Sequence, residues 1–450
     1  MDLITPSNKK VHLISLGCAR NRVDSEVMLG SLIQDQWSVV DTADGVDAVV
    51  INTCGFIDAA KEESIQTILD AARLKEENPD MKLVVAGCLT QRYKKRLADD
   101  LPEVDLFIGT DEFPKIAGLL KGDQEDPSKK IYTARTHYLY DGSLPKKNTL
   151  SKGSAYVKVA EGCQHNCAFC IIPAIRGKLR SRPIPNVLQE VKQLAAEGVR
   201  EINLIAQDLA AYGRDWGSSD LLNLLNSLVA IDGIEWIRLL YVYPENIDDA
   251  FIEFFASNPK IVKYLDIPVQ HASDRLLASM NRDVTRAQLV EQFTKLRQKV
   301  PGISLRTSVM VGFPGETEED FEELKTFVAE MAFDHLGCFT YSREEGTVAG
   351  RMEEQIDDAI KVERQAEIMA IQQSLSADRL SSMVGQLVPV LVEGVSQETE
   401  LLGQGRLATQ APEVDGVVYI NDGPFIAGEI QLVRITEAHD YDLVGHIEPS

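Results

Sequence analysis

A chain of 450 residues, 44% of them hydrophobic and 26% charged, is too long for one core and too apolar for disorder, so two or three domains are expected. Its 69 Asp and Glu against 46 Lys and Arg leave a net charge of −23, which opposes approach to a phosphate backbone unless the basic residues gather on one face; a basic protein partner meets no such barrier. Seven cysteines, an odd number in so long a chain, argue against a disulfide framework and for reduced thiols that bind metal or pack in cores. MDLITPSNKK has no signal-like apolar stretch and no run of eighteen apolar residues occurs, so neither export nor a membrane span is expected, and the expected compartment is the cytoplasm.

From residue 10 to about 125, strand-like runs alternate with helical patterns: VHLISLGC, NRVDSEVMLGSLIQDQ, DAVVINTC, IDAAKEESIQTILDAARLKEE, KLVVAGC. This βαβαβ series predicts an open parallel α/β sheet. Each apolar run ends in a cysteine, Cys18, Cys54 or Cys88. The C-terminal ends of parallel strands share one edge of the sheet, where ligands bind, so the three thiols should meet there. One such cysteine would be read as a small buried strand residue; three at equivalent places point to metal ligation. Residues 126–148, rich in Pro, Gly, Lys and Asp, read as a linker.

Residues 149–379 carry a second alternating series, with strand-like runs AYVKVAEGC, EINLIAQD, EWIRLLYVYP, IVKYLDIPVQ, ISLRTSVMVGFP and HLGCFTYS. Six βα units predict a partial (β/α)6 barrel whose functional groups stand at the strand C-termini. NVLQEVKQLAAEGV places Val187, Leu188, Val191, Leu194 and Ala195 on one helical face and stops at Gly198. GFPGETEEDF, with Gly312 and Gly315, shapes a turn into a helix whose acidic first turn suits the dipole. Cys338 sits inside an apolar strand and is expected to be packed. A polar helix over about 356–383 leads to short strands in 380–449 that predict a small closed, OB-like β barrel.

The first strand of the second series runs into EGCQHNCAFCIIPAIRG, with Cys163, Cys167 and Cys170 in C-x3-C-x2-C spacing. A structural zinc site wants four protein ligands, and the only nearby fourth candidate is His165 between two of the cysteines. A four-iron cubane held by three thiolates keeps one iron free for chemistry. The motif, with aromatic Phe169 before Cys170, resembles the radical S-adenosylmethionine (SAM) superfamily. That resemblance implies a [4Fe-4S] cluster whose open iron chelates SAM, and a 5′-deoxyadenosyl radical able to take hydrogen from an unactivated C–H bond.

SLGCARNRVDSE, VVINTCGFIDAAKEES, VVAGCLTQRY, LIAQD, LLYVYP, DIPVQHASDRLLASMNR, VMVGFPGETEEDF and QAPEVDGVVYI widen the match. With the cysteine motif they resemble the radical SAM methylthiotransferase family over nearly the whole chain, and within it the branch acting on an aspartate of ribosomal protein S twelve of the small subunit. The resemblance implies that Cys18, Cys54 and Cys88 hold a second, auxiliary [4Fe-4S] cluster and that the last domain is a TRAM barrel. It also implies two uses of SAM, one as methyl donor to sulfur at the auxiliary cluster and one as radical source, with the methylthio group collected at the β-carbon of the aspartate. An electron donor and a sulfur source follow as partners. The rival within the family modifies a tRNA adenosine; the rival outside it is a non-catalytic zinc and RNA-binding protein.

Gln207, Asp208, Gln270 and Arg306, at or within barrel strands, could hydrogen-bond SAM or could simply cap loops and helices. Arg176, Lys178, Arg180 and Arg182 could steer an anionic substrate group or form a solvated loop. From Ser381 onward eleven carboxylates face only Arg406 and Arg434, and the aromatics are Tyr419, Phe425 and Tyr441. A tRNA-gripping barrel should be basic with stacking aromatics, so a basic ribosomal protein is the expected partner and tRNA is not.

Overall fold

The computed structural model describes residues 9–123, 126 and 128–448. The opening residues, over which no export signal is expected, lie outside the described residues, as do 124, 125 and 127 near the start of the expected linker and the last two residues of the chain. Among the described residues no helix is long and apolar enough to cross a membrane.

The N-terminal unit runs β1 (Lys10–Ser15), α1 (Ala19–Gln34), β2 (Ser38–Val39), β3 (Ala48–Thr53), α2 (Asp58–Glu77), β4 (Lys82–Gly87), α3 (Cys88–Tyr93), α4 (Lys95–Asp100), β5 (Leu106–Ile108), α5 (Ile116–Lys121) and β6 (Ile131–Tyr132). All six strands are parallel, in the order β2-β1-β3-β4-β5-β6. Both faces of the sheet are covered, which is why β3 is an unbroken buried run with no polar alternation. β2, β5 and β6 are too short to show periodicity, and β6 falls inside the stretch expected as a linker. That stretch is packed: Tyr140 is buried, and the Lys146 ammonium stands 3.3 Å from Glu26 and 3.0 Å from Glu190. Its Pro, Gly and Lys content reads as solvated, but the interspersed Tyr and Leu side chains find apolar partners on α1.

The central unit holds β7 (Ser154–Lys158), β8 (Ala160–Glu161), α6 (Ile172–Arg176), β9 (Arg180–Ser181), α7 (Ile184–Ala196), β10 (Glu201–Ile205), α8 (Leu221–Val229), β11 (Trp236–Leu239), α9 (Asp249–Ser257), β12 (Ile261–Asp266), α10 (Asp274–Ser279), α11 (Arg286–Lys299), β13 (Ser304–Val311), α12 (Glu318–Met331), β14 (His335–Thr340) and α13 (Asp358–Ser381). The six expected strands pair in parallel in the order β14-β13-β12-β11-β10-β7, an incomplete barrel wrapped by helices. On α7, Val187, Val191 and Leu194 are buried, while Leu188 and Ala195 pack at the margin. α12 starts on a capping box, Thr317 with Asp320, and Cys338 is buried in β14.

The C-terminal strands β15 (Leu387–Val395), β16 (Gly403–Leu407), β17 (Val418–Asp422), β18 (Ile430–Ala438) and β19 (Leu443–Ile447) close in the order β15-β16-β17-β19-β18 around Val390, Val392, Val418, Val433, Ile435 and Leu443. This barrel docks through charge. Arg406 reaches Glu201 at 2.6 Å, and Asp415 accepts from the Tyr264 hydroxyl at 2.7 Å beside Arg306 and His335. Glu413 pairs with Arg22 of α1. Asp415 is buried in this seam, Glu413 is paired although 43% exposed, and Glu393 accepts from the Ser151 hydroxyl at 2.7 Å, so all three help hold the barrel to the rest of the molecule.

Candidate functional site

Three loops carry the first cysteine group. Cys18 caps α1, Cys54 follows β3 and Cys88 opens α3, so each thiol leaves the C-terminal end of one of the adjacent strands β1, β3 and β4. The loops touch because glycines sit between them. A Cβ on Gly17, whose φ is +88°, would lie 2.8 Å from the Cys54 Cβ and 3.3 Å from its Sγ. Asn21 and Asn52 strap the loops, Asn21 donating to the Leu16 carbonyl at 2.7 Å and Asn52 to the Asn21 carbonyl at 2.8 Å.

The thiols feel one another and two arginines. Burial, with Cys88 and Cys18 as neighbours, pushes the Cys54 thiol up to about 12. Burial also raises Cys88, with Arg176 pulling the other way. For Cys18 burial is outweighed by the Arg20 and Arg176 guanidiniums and an Asn21 N–H, leaving it below the usual thiol range. Arg20 donates to the Ala206 carbonyl at 3.0 Å and lies 4.3 Å over the Tyr241 ring, which joins this group to the central unit.

The second group rides on the loop between β8 and α6. Gly162, with φ +79°, has the Lys178 carbonyl where a Cβ would stand, at 2.1 Å. The Cys163 N–H bonds the Gly177 carbonyl at 3.1 Å, and the Cys170 N–H bonds the Cys167 carbonyl at 3.0 Å. Burial pushes Cys163 up to about 11 and Cys170 up to about 12, opposed by N–H groups of His165 and Ile172. Binding a metal cluster at either group therefore releases protons.

Among the described residues no three His, Cys, Asp or Glu side chains could hold a single metal ion. A four-iron cluster asks for something else: three thiols around a space several ångströms wide, and no carboxylate or imidazole. In each group the thiols are close enough to feel one another, Cys54 with Cys88 and Cys18, and Cys170 with Cys167 and Cys163, and backbone N–H groups of Asn21, Phe56, His165 and Ile172 face the sulfurs, the donor set such a cluster would use. His165 is committed elsewhere, its Nε2 2.8 Å from Asp208 and its ring stacked on Tyr243 at 3.9 Å.

A cavity of about 540 Å³ lies between the units. Gly17, Cys18 and Phe56 line it from one side, Phe169, Gln270, Ser308 and Met310 from the barrel, and Glu413 with Val414 from the C-terminal unit. Gln270 and Arg306 thus face this space; Gln207 and Asp208 do not line it. Gln207 donates to Glu161 at 2.6 Å, and Asp208 holds His165 and caps the turn at Ala210. Arg306 is bound by Asp266 at 3.0 Å and by Asp415 at 3.5 Å. The basic run splits: Arg176 and Arg182 are 3% and 1% exposed, paired with Asp24 and Glu190, while Lys178 stays exposed and Arg180 is half-buried. Desolvated guanidiniums need carboxylates: Arg176 finds Asp24 across 152 residues of chain, Arg182 finds Glu190 only eight residues on. Arg22, Tyr241 and Glu344, which line the cavity, and Arg20, which bonds Cys18, escaped the reading of sequence; CARNR holds both arginines beside Cys18, a signal overshadowed by the cysteine.

The chain matches the uncharacterized protein family UPF0004 over residues 10–109, the Radical SAM superfamily over 157–328 and the TRAM domain over 384–447. It is 48% identical to the ribosomal protein uS12 methylthiotransferase RimO of Geobacter sulfurreducens over 442 residues, covering 98% of this chain and 99% of that one. The chain belongs to the ribosomal protein uS12 methylthiotransferase family. The enzyme of the same name from Bdellovibrio bacteriovorus is 48% identical, with 98% of each chain covered, and that from Myxococcus xanthus is 48% identical, with 99% and 93% covered. Among solved structures, the radical SAM methyltransferase TsrM from Kitasatospora setae, with tryptophan and a SAM analogue bound, superposes with a TM-score of 0.57 at 14% identity, over 82% of this chain and 89% of that one. That likeness bears on the fold.

Gly17→Ala tests the first cysteine group in this family member. The added methyl forces both a left-handed backbone that costs about 1–2 kcal/mol and a clash with Cys54. Iron per chain after anaerobic reconstitution should fall by about half, the other group remaining loaded.

Proposed function

We propose that this protein is a radical SAM methylthiotransferase that exchanges a C–H bond at the β-carbon of an aspartate of ribosomal protein uS12 for a C–SCH3 bond. Cys163, Cys167 and Cys170 would hold one [4Fe-4S] cluster and Cys18, Cys54 and Cys88 the other. When bound, these clusters and SAM supply a hydrogen-abstracting carbon radical and a methylated sulfur for transfer. One observation carries the reading: a single cavity is walled by Cys18 of one group and by Phe169, the neighbour of Cys170, from the other.

The residues of the chain orient the reactants and keep water away. Tyr241, held at φ +60° and stacked under Arg20, and Phe169, packed against Leu276, Met280 and Phe313, make the cavity wall stiff. Gln270, with φ +73° and both backbone groups bonded to β13, presents its amide to the cavity as a candidate contact for SAM or substrate. Tyr243 and Arg282 stand 3.9 and 4.0 Å from the Cys167 sulfur, where they can steady its thiolate. A low-potential electron donor and a source of the inserted sulfur are needed as partners, and the cytoplasm, where ribosomal proteins are made, is the compartment.

Incubating the reconstituted enzyme with isolated uS12, SAM and a reductant should give a product heavier by one methylthio substitution on one aspartate, read by tandem mass spectrometry. An acidic enzyme should bind this basic substrate more weakly as salt rises, and bulk tRNA should not compete. Modification of a tRNA adenosine with uS12 untouched would transfer the reading to the tRNA branch.

A further inference from the structure

Arg176 belongs by sequence to the second cysteine group, six residues beyond Cys170, yet its side chain serves the first. It is 3% exposed at the end of α6. Nη1 donates to Asp24 at 2.7 Å and to Glu161 at 3.1 Å; Nη2 donates to the Asn21 amide oxygen at 3.2 Å and lies 3.2 Å from the Cys88 sulfur. Ile171 and Ile175, on the same short segment, pack with Phe56 against Cys88. One wall of the first site is thus built by the loop that carries the second.

The charges around this contact are few and buried. Asp24 and Glu161 are each shared between Lys158 and Arg176, so two anions face two cations, all four side chains buried. This quartet is neutral before Cys88 contributes anything. Among the described residues, negative charge placed on Cys88 is met at hydrogen-bond range by the Arg176 fork, while Asp24 opposes it from behind that fork.

We infer that Arg176 is a positioning residue for the auxiliary site, a fixed positive charge delivered by the radical SAM loop that raises the electron affinity of the group held by Cys18, Cys54 and Cys88. The inference rests on the proposed two-cluster function. A cation beside a thiolate ligand favours the state with one more electron, and a buried anion disfavours it. Arg176 and Asp24 should therefore act with opposite signs although they are hydrogen-bonded to each other, and this a purely structural pair would not do.

The test is a redox titration of the reconstituted full-length protein followed by electron paramagnetic resonance, the auxiliary cluster being the one whose signal remains when Cys163, Cys167 and Cys170 are replaced by Ala. Arg176→Gln should shift its midpoint potential downward, Asp24→Asn should shift it upward, and Arg176→Lys should restore most of the unaltered value. Shifts of the same sign in the Gln and Asn variants, or no shift in folded and iron-loaded protein, overturn the inference. If Arg176→Gln fails to load iron, Asp24→Asn must still raise the potential, and its failure to do so is equally decisive. Absence of a second cluster in the unaltered chain would instead sink the proposed function, and the inference with it.

Discussion

Replacing Cys18, Cys54 and Cys88 together by Ala is expected to abolish methylthiolation of uS12, by more than about a thousandfold as for groups that act as a unit, while SAM is still cleaved to 5′-deoxyadenosine. Replacing Cys163, Cys167 and Cys170 should abolish both. The two groups stand on different sheets, one at the C-terminal edge of β1, β3 and β4 and the other after β7, so each has its own scaffold. They are not fully independent, because Ile171, Ile175 and Arg176 wall Cys88. α6 is pinned by buried ion pairs to Asp24 and Glu161 rather than by the thiols that precede it, so the second replacement should leave the first cluster assembled. Iron analysis and deoxyadenosine release, measured beside product mass, check both halves; methylthiolated product at the unaltered level from the first variant would remove Cys18, Cys54 and Cys88 from the reaction.

What could be read from sequence was what is local and periodic. The six barrel strands announce themselves as apolar runs, and the cysteines follow because each ends a strand or sits in a tight motif. Partnerships made across the chain were not legible. Arg176 looked like one of a basic run, since nothing near it in sequence shows that Asp24 and Cys88 close around it. Asp208 could be read as a SAM contact or a loop cap, and it does cap the turn at Ala210, but nothing near it in sequence shows that His165, 43 residues earlier, turns back onto it. The acidity of the last domain was read as a surface property, while Glu393 and Asp415 are spent on Arg406, Arg306 and Tyr264. Composition counts charges; only the fold says which of them meet solvent.

Glu201→Gln should loosen the C-terminal barrel by about 3–5 kcal/mol, as breaking a buried ion pair does. In the native chain one Glu201 oxygen accepts from Arg238 Nε and Nη2 at 3.0 and 2.7 Å, and the other accepts from Arg406 Nη2 at 2.6 Å and the Ser154 hydroxyl at 2.7 Å. Arg406 comes from β16, 205 residues away, so this one carboxylate ties the barrel to β10 and β11. Glutamine keeps the shape but leaves Arg238 without its counter-charge; Arg406 retains Glu393 at 2.7 Å, which sets the lower end of the range. Acid should reproduce the lesion. Burial acts to raise the Glu201 carboxyl, but Arg406 and Arg238 prevail and bring it from 4.5 to about 2. A depressed carboxylate stabilises fully above its unfolded value and loses that contribution as pH falls from about 4.5 towards 2, a change of about 3 kcal/mol. The gap in melting temperature between the native protein and the Gln variant should therefore be widest near neutral pH and close as pH drops through that window. A gap that stays constant from pH 7 to 3 would show that Glu201 contributes through its shape and hydrogen bonds, and that the barrel is held by Asp415 and the apolar contacts around Leu391 and Ala411 instead.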